Sequence, residues 1–121
     1  MKINDLCKEA HELAKEKGWY PSEGRNLGEL IALITSELSE ALEEARIASF
    51  KQTESNNYTY YESDKENSSM DKPEGFAIEI ADTVIRIADL CGYYNIDLEK
   101  ALKIKMDYNK TRPVRHGGKV F

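Results

Sequence analysis

Strand-like alternation is missing from this chain: no stretch of any length alternates apolar and polar residues, which excludes a half-buried sheet as the main architecture. Internal repeats are missing too. No apolar run approaches the roughly 20 residues of a membrane span, and the first residues are charged within a helical pattern instead of resembling a secretion signal. The chain is therefore expected in the cytoplasm, away from membranes. There are only 2 cysteines, Cys7 and Cys91. Each sits in an apolar helical pattern, so buried free thiols are expected and not a disulfide framework. A general basic face is lacking as well, since the net charge is −5. From Asp97 onward seven Lys/Arg stand against three Asp/Glu, a local +4, so the preceding residues carry −9. An acidic body argues against nucleic acid as a partner; it suits a site where metal cations meet carboxylates and a basic segment meets phosphate.

What is present suits one helical domain spanning residues 1–121, with 40% hydrophobic and 32% charged residues. Ile3 to Lys17 reads as a first helix, with Asn4 or Asp5 to cap it and Gly18 to stop it. Asn26 caps a second, with Glu29 three residues on as in a capping box, and Leu27, Leu30, Ile31, Ile34, Leu38, Ala41, Leu42 and Ala45 mark its apolar face as far as about Ala48. Residues 49–72 lose this periodicity, and we expect a polar, mobile connection there, with Tyr58, Tyr60 and Tyr61 as its main apolar content. Pro73-Glu74 can open a third helix, apolar nearly all round from Phe76 to Cys91 and ended by Gly92; such a helix belongs at the centre of a fold. Asp97 caps a fourth, which Arg112-Pro113 ends. The expected architecture is an all-α four-helix bundle, its core completed by homo-oligomerisation because the third helix is apolar on more sides than one short chain can cover.

Two acidic pairs carry the chemistry. Glu37 and Glu40 are three apart on the second helix, and Glu79 and Asp82 are three apart on the third. Residues at that spacing share a face, roughly 5–6 Å apart, so each helix can offer two carboxylates to one point. Oxygen ligands of this kind suit hard divalent cations. The second pair lies in the most apolar helix, where an unpaired carboxylate is costly. The plainer readings are a solvated face for Glu37 and Glu40, beside Glu43 and Glu44, and a salt bridge to Arg86 for Glu79 and Asp82. Glu44, Arg86 and Asp89 extend the same stripes as supporting positions. Lys105, Asn109 and Arg112, at i, i+4 and i+7, place two cations and an amide on one face of the fourth helix: a phosphate site, or a solvated helix end. Trp19 follows a helix stop; its spacing favours the core, whereas exposure would let it stack on a base. A lone His11 on the first helix supports nothing by itself.

Glu37-Leu38-Ser39-Glu40 followed by Glu79-Ile80-Ala81-Asp82 resembles the E-x-x-E…E-x-x-D signature of the MazG-like nucleotide pyrophosphohydrolases, of the all-α NTP pyrophosphatase superfamily. Arg25 to Ala41 looks like that family's second helix and Glu79 to Ile87 like its third. Lys105-x-x-x-Asn109-x-x-Arg112-Pro113 followed by His116-Gly117-Gly118-Lys119 resembles its C-terminal motif. The resemblance implies a Mg²⁺-dependent enzyme, with Mn²⁺ as a substitute, that converts (deoxy)nucleoside triphosphate to monophosphate and pyrophosphate and so cleans the nucleotide pool. It implies that Glu37, Glu40, Glu79 and Asp82 hold the metal; a spare carboxylate of such a cluster can accept a proton from water, and Glu37 and Glu40 are the candidates for that base. Lys105, Asn109 and Arg112 map to phosphate-contacting positions, and His11 and Trp19 to base-side positions. It also implies a homodimer or homotetramer. The segment 49–72 is longer than the family link. Two other readings stand beside this one: a non-catalytic nucleotide- or metal-binding helical module, and an oligomerising helical protein with a solvated acidic stripe.

Overall fold

The computed structural model describes residues 2–47 and 73–114, and these form four helices: α1 Ile3–Glu16, α2 Leu27–Ile47, α3 Phe76–Tyr93 and α4 Leu98–Thr111. The all-α expectation holds; among the described residues there is no strand. The connection expected to be mobile at 49–72 and the motif His116 to Lys119 lie outside the described residues.

Local chemistry explains most boundaries. Gly18, at φ 76°, ends α1: its N–H bonds to the Lys15 carbonyl and the Trp19 N–H to that of Ala14, both at 3.0 Å. This is a Schellman turn, for which a left-handed glycine is best suited. Asn26 Oδ1 accepts from the Glu29 N–H at 3.2 Å as a cap should, but the Glu29 side chain turns to Arg25, so only half of the expected box forms. Asp97 Oδ1 accepts from the Lys100 N–H at 3.0 Å and caps α4. Arg112, held extended by the proline after it, ends that helix.

Three expectations need correction. Neither Asn4 nor Asp5 caps α1, which begins after Lys2 without a side-chain cap. Asn4 instead donates its backbone N–H to Glu99 Oε1 and its Nδ2 to Asp97 Oδ1, each at 2.9 Å, so it ties the start of α1 to the start of α4. Pro73 does not sit in the first turn of α3, which is entered through Gly75 at φ 113°. Gly92 does not end α3: the helix runs through it to Tyr93, and Asn95 takes the left-handed turn at φ 54°, with the Ile96 N–H on the Cys91 carbonyl at 2.9 Å. Asparagine is the side-chain-bearing residue that best tolerates this conformation. Gly92 serves a different purpose, because a Cβ there would stand 2.4 Å from the Cys7 carbonyl oxygen and 2.7 Å from His11 Cβ. It is a point of close approach between α1 and α3.

α3 is central as expected, packed against α1 and α2, while α4 joins the rest chiefly through α1. The core is made of small side chains: Cys7, Ala10, Ala88 and Cys91 form one buried cluster flanked by Leu6 and Leu98. Both cysteines are free and buried. Outside this core α2 leaves Leu27, Ile31, Leu38 and Leu42 about half exposed, and α3 does the same with Ile80, Val84 and Ile85. From Glu99 to its end α4 is exposed.

Candidate metal and ligand site

Three of the four expected carboxylates meet. Oxygen atoms of Glu37 and Glu40 from α2 and Glu79 from α3 lie within 4.8 Å of one another. Asp82 is not part of that set, but it is near enough to Glu37 for the two charges to interact, and both line an adjoining cleft. The pairing expected between Arg86 and the α3 carboxylates is not formed: Arg86 Nε donates to Glu37 Oε1 at 2.6 Å, across to α2. The i,i+4 spacing from Asp82 suggested the first partner, yet the side chain leans to the neighbouring helix.

Burial and neighbouring carboxylates both act on the cluster. Burial comes first among the causes that push the Glu79 carboxyl up to about 7, followed by its hydrogen bond with Glu40 and the charges of Glu40, Asp82 and Glu37. Glu79 Oε2 is buried and has no hydrogen-bond partner. The Asp82 carboxyl is also raised, by burial and by Glu37, with Arg86 opposing. An all-oxygen donor set, crowded like charges and an orphaned buried carboxylate oxygen fit a divalent cation such as Mg²⁺. Glu37, Glu40 and Glu79 fit its direct ligation, with Asp82 beside them.

The cleft next to the cluster has a volume of about 880 Å³. Glu37 belongs to both. From α1 the cleft takes Ala10, Leu13 and Ala14, from α3 Asp82, Ile85, Arg86 and Asp89, and from α2 Glu29, Leu33 and Glu37; the loop after α1 closes it with Trp19, Pro21, Glu23, Gly24 and Arg25. Trp19 is 55% exposed, so the spacing-based placement in the core is wrong: a left-handed Gly18 throws the indole out to the cleft wall. His11 is not in that wall. It contacts a residue of that wall, Asp89, with Nδ1 3.0 Å from Oδ1, and its ring is edge-on to Tyr20 at 4.7 Å. Lys105 and Asn109 on α4 and Arg112 just past its end are exposed, and none of them lines the cleft; Lys105 and Arg112 lean over the Tyr108 ring at 5.1 and 5.9 Å.

Arg25, Tyr20 and Tyr93 were not singled out from the sequence, although Arg25 and Tyr20 flank Trp19. Tyr20 OH donates to Asp89 Oδ2 at 2.8 Å. The Arg25 backbone N–H donates to Tyr93 OH at 3.2 Å and its Nη1 to the Trp19 carbonyl at 3.2 Å, while Nη2 pairs with Glu29. A turn-forming loop beside a lone tryptophan was the available signal; its partners on α3 lie about seventy residues away in sequence. No helix among the described residues is long and apolar enough to cross a membrane. Comparison of the chain with known family models, with curated proteins and with solved structures gave no match.

Proposed function

We propose that the chain is a divalent-metal-dependent nucleoside triphosphate pyrophosphohydrolase of the MazG-like kind, which releases pyrophosphate and a nucleoside monophosphate. The observation that carries this reading is the meeting of Glu37, Glu40 and Glu79 from two helices, with a buried, unpartnered Glu79 oxygen, at the edge of a cleft that Trp19 walls. Mg²⁺, or Mn²⁺ in its place, would supply charge neutralisation for the phosphates and acidify a nearby water. Glu37, Glu40, Glu79 and Asp82 hold the ion in this reading. Arg86 keeps Glu37 oriented. One carboxylate of the cluster, Glu37 or Glu40, takes the proton from the attacking water. The exposed Trp19 ring offers a stacking face to the base, and His11 supports that side through its contact with Asp89. The choice of the α-phosphorus rests on the E-x-x-E…E-x-x-D resemblance.

In this reading Lys105, Asn109 and Arg112 contact the phosphates from a second copy, since they do not line the cleft of their own chain. The half-exposed leucines and isoleucines of α2 and α3 support a homodimer or homotetramer. The position of the α4 stripe also favours the alternative, a non-catalytic nucleotide- or metal-binding module. A panel of (d)NTPs with Mg²⁺ and pyrophosphate detection separates the two, and H₂¹⁸O then locates the bond broken. Label in the monophosphate supports attack at the α-phosphorus; label in orthophosphate, or turnover without any divalent ion, overturns the mechanism.

A further inference from the structure

The loop between α1 and α2 supplies five residues to the cleft, so whatever fixes that loop fixes the cleft. Its ring at position 20 is wedged among helical partners, 4.7 Å from the His11 ring and 4.6 Å from that of Tyr93. Among the described residues, Tyr20 and His11 share one charged partner, Asp89, which accepts from Tyr20 OH at Oδ2 and meets His11 Nδ1 at Oδ1. A carboxylate can only accept here, so His11 carries its proton on Nδ1. Asp89 and His11 are both largely buried, at 16% and 15% side-chain exposure. Hydrogen bonds to a charged, partly buried acceptor are among the stronger ones in a protein. Burial and the bond to Asp89 hold the Tyr20 phenol well above its ordinary range, so it remains a donor at any working pH. At the far end of the loop, Gly24 lets the chain pass the Tyr93 hydroxyl, which a Cβ would meet at 2.6 Å.

We infer that Asp89 is a positioning residue for the cleft: by holding Tyr20 and His11 together it ties the Trp19 loop to α1 and α3, so that the exposed indole stands as a fixed wall for the flat part of a ligand. The identity of that ligand as a nucleotide base rests on the function proposed above. Because the wall is set before the ligand arrives, its loss weakens binding and leaves the carboxylate cluster intact. Binding and chemistry therefore separate in the variants.

Trp19 is the only tryptophan, so its emission reports on the loop without interference. The full-length chain and its Tyr20→Phe and Asp89→Asn variants are compared by far-UV circular dichroism, by nanosecond anisotropy of Trp19 without ligand, and by steady-state kinetics with Mg²⁺ on the nucleotide that the wild type hydrolyses best. Tyr20→Phe keeps the stacked ring and removes only the tether, so it decides the matter if Asp89→Asn loses its helical signal. The expected result is unchanged helicity, loss of the slow, restricted component of Trp19 anisotropy, and a KM raised about tenfold, or about 1.4 kcal/mol, with kcat within about twofold. Unchanged anisotropy in Tyr20→Phe overturns the tether. Altered anisotropy with an unchanged KM overturns its role in positioning ligand. If the wild type hydrolyses no nucleotide, the pyrophosphohydrolase reading fails, and a titration of Trp19 emission with dCTP, dTTP, dATP and dGTP in Mg²⁺ decides the positioning role. About tenfold weaker binding by Tyr20→Phe supports it; equal binding, or none by the wild type, overturns it.

Discussion

Arg86 Nε on α3 stands 2.6 Å from Glu37 Oε1 on α2, so the carboxylate shared by the acidic cluster and the cleft is held by a cation from the neighbouring helix. Arg86→Ala removes that cation and leaves Glu37, only 14% exposed, among like charges. The guanidinium is itself 39% exposed, which screens the pair, so the expected cost is about 1 kcal/mol, well below that of breaking a fully buried pair. In metal-free buffer Tm should fall by roughly 3–6 °C. Mg²⁺ should then raise Tm by more in the variant than in the wild type, because the ion replaces a lost positive charge. An equal rise in both would show that Arg86 and the ion do not act on the same carboxylate.

The raised Glu79 carboxyl predicts how the metal-free protein responds to pH. Its folded value of about 7 lies above the ordinary 4.5, so the folded state holds the proton more tightly than the unfolded chain does. The stability this gives is complete below about pH 4.5 and is lost as pH rises through about 7. In EDTA, Tm should decline across that window, and Glu79→Gln should flatten the decline. Mg²⁺ should restore Tm at pH 8 and release protons on binding at pH 6.5, seen as a buffer-dependent heat in calorimetry. A Tm that climbs through the window in the wild type and falls in Glu79→Gln would contradict the assignment.

Charge at the cluster should matter more than shape. Glu40→Gln and Asp82→Asn are nearly isosteric, so each should keep the helical dichroism and lower kcat/KM by at least about a hundredfold, or about 2.7 kcal/mol. If Asp82→Asn is instead within about twofold of wild type, its place outside the three-carboxylate set marks it as a bystander.

Because Lys105, Asn109 and Arg112 do not line the cleft of their own chain, the proposed function predicts complementation between subunits. Lys105→Ala and Glu40→Gln should each be inactive alone. Unfolded together and refolded, they should recover about one quarter of wild-type activity, since half of randomly paired dimers are mixed and each of those holds one intact site. No recovery, with mixed dimers present by native mass spectrometry, would place the stripe and the carboxylates in a single chain or remove the stripe from the reaction.

What was legible in the sequence was local. Gly18, Asn26, Asp97 and Pro113 act within a turn of where they stand, and each marks a boundary correctly. The acidic pairs were legible for the same reason: three residues along a helix is a fixed geometry. Asn4 was not, because its partners Asp97 and Glu99 lie more than ninety residues on. Arg86 has an acceptable partner at i−4 and a better one across the helix interface, a choice made by packing. Gly92 reads as a stop in one dimension and proves to be a point of contact in three. Asp89 looked like one more charge on a stripe until Tyr20 and His11 arrived from other elements.

Gly92→Ala follows from that contact. A methyl group 2.4 Å from the Cys7 carbonyl oxygen and 2.7 Å from His11 Cβ has no flexible side-chain end to displace, only backbone and a Cβ fixed to it. Although alanine is the better helix former, overpacking should dominate and destabilise by about 1–3 kcal/mol, measured by urea unfolding. A variant as stable as the wild type would mean that α1 shifts away at no cost.

Among the described residues no large side chain is fully enclosed; the buried positions are mostly alanine and cysteine, with Thr83 and Leu30. The familiar mutational hierarchy, in which truncating a core side chain does the most harm, is thereby reversed at the α1–α3 seam. Alanine at positions 10, 14 and 88 leaves almost nothing to cut away, and the separation of the helices is set by backbone meeting backbone. In a saturation library the tolerance of this seam should track added volume, with glycine and serine admitted and leucine rejected whatever its hydrophobicity.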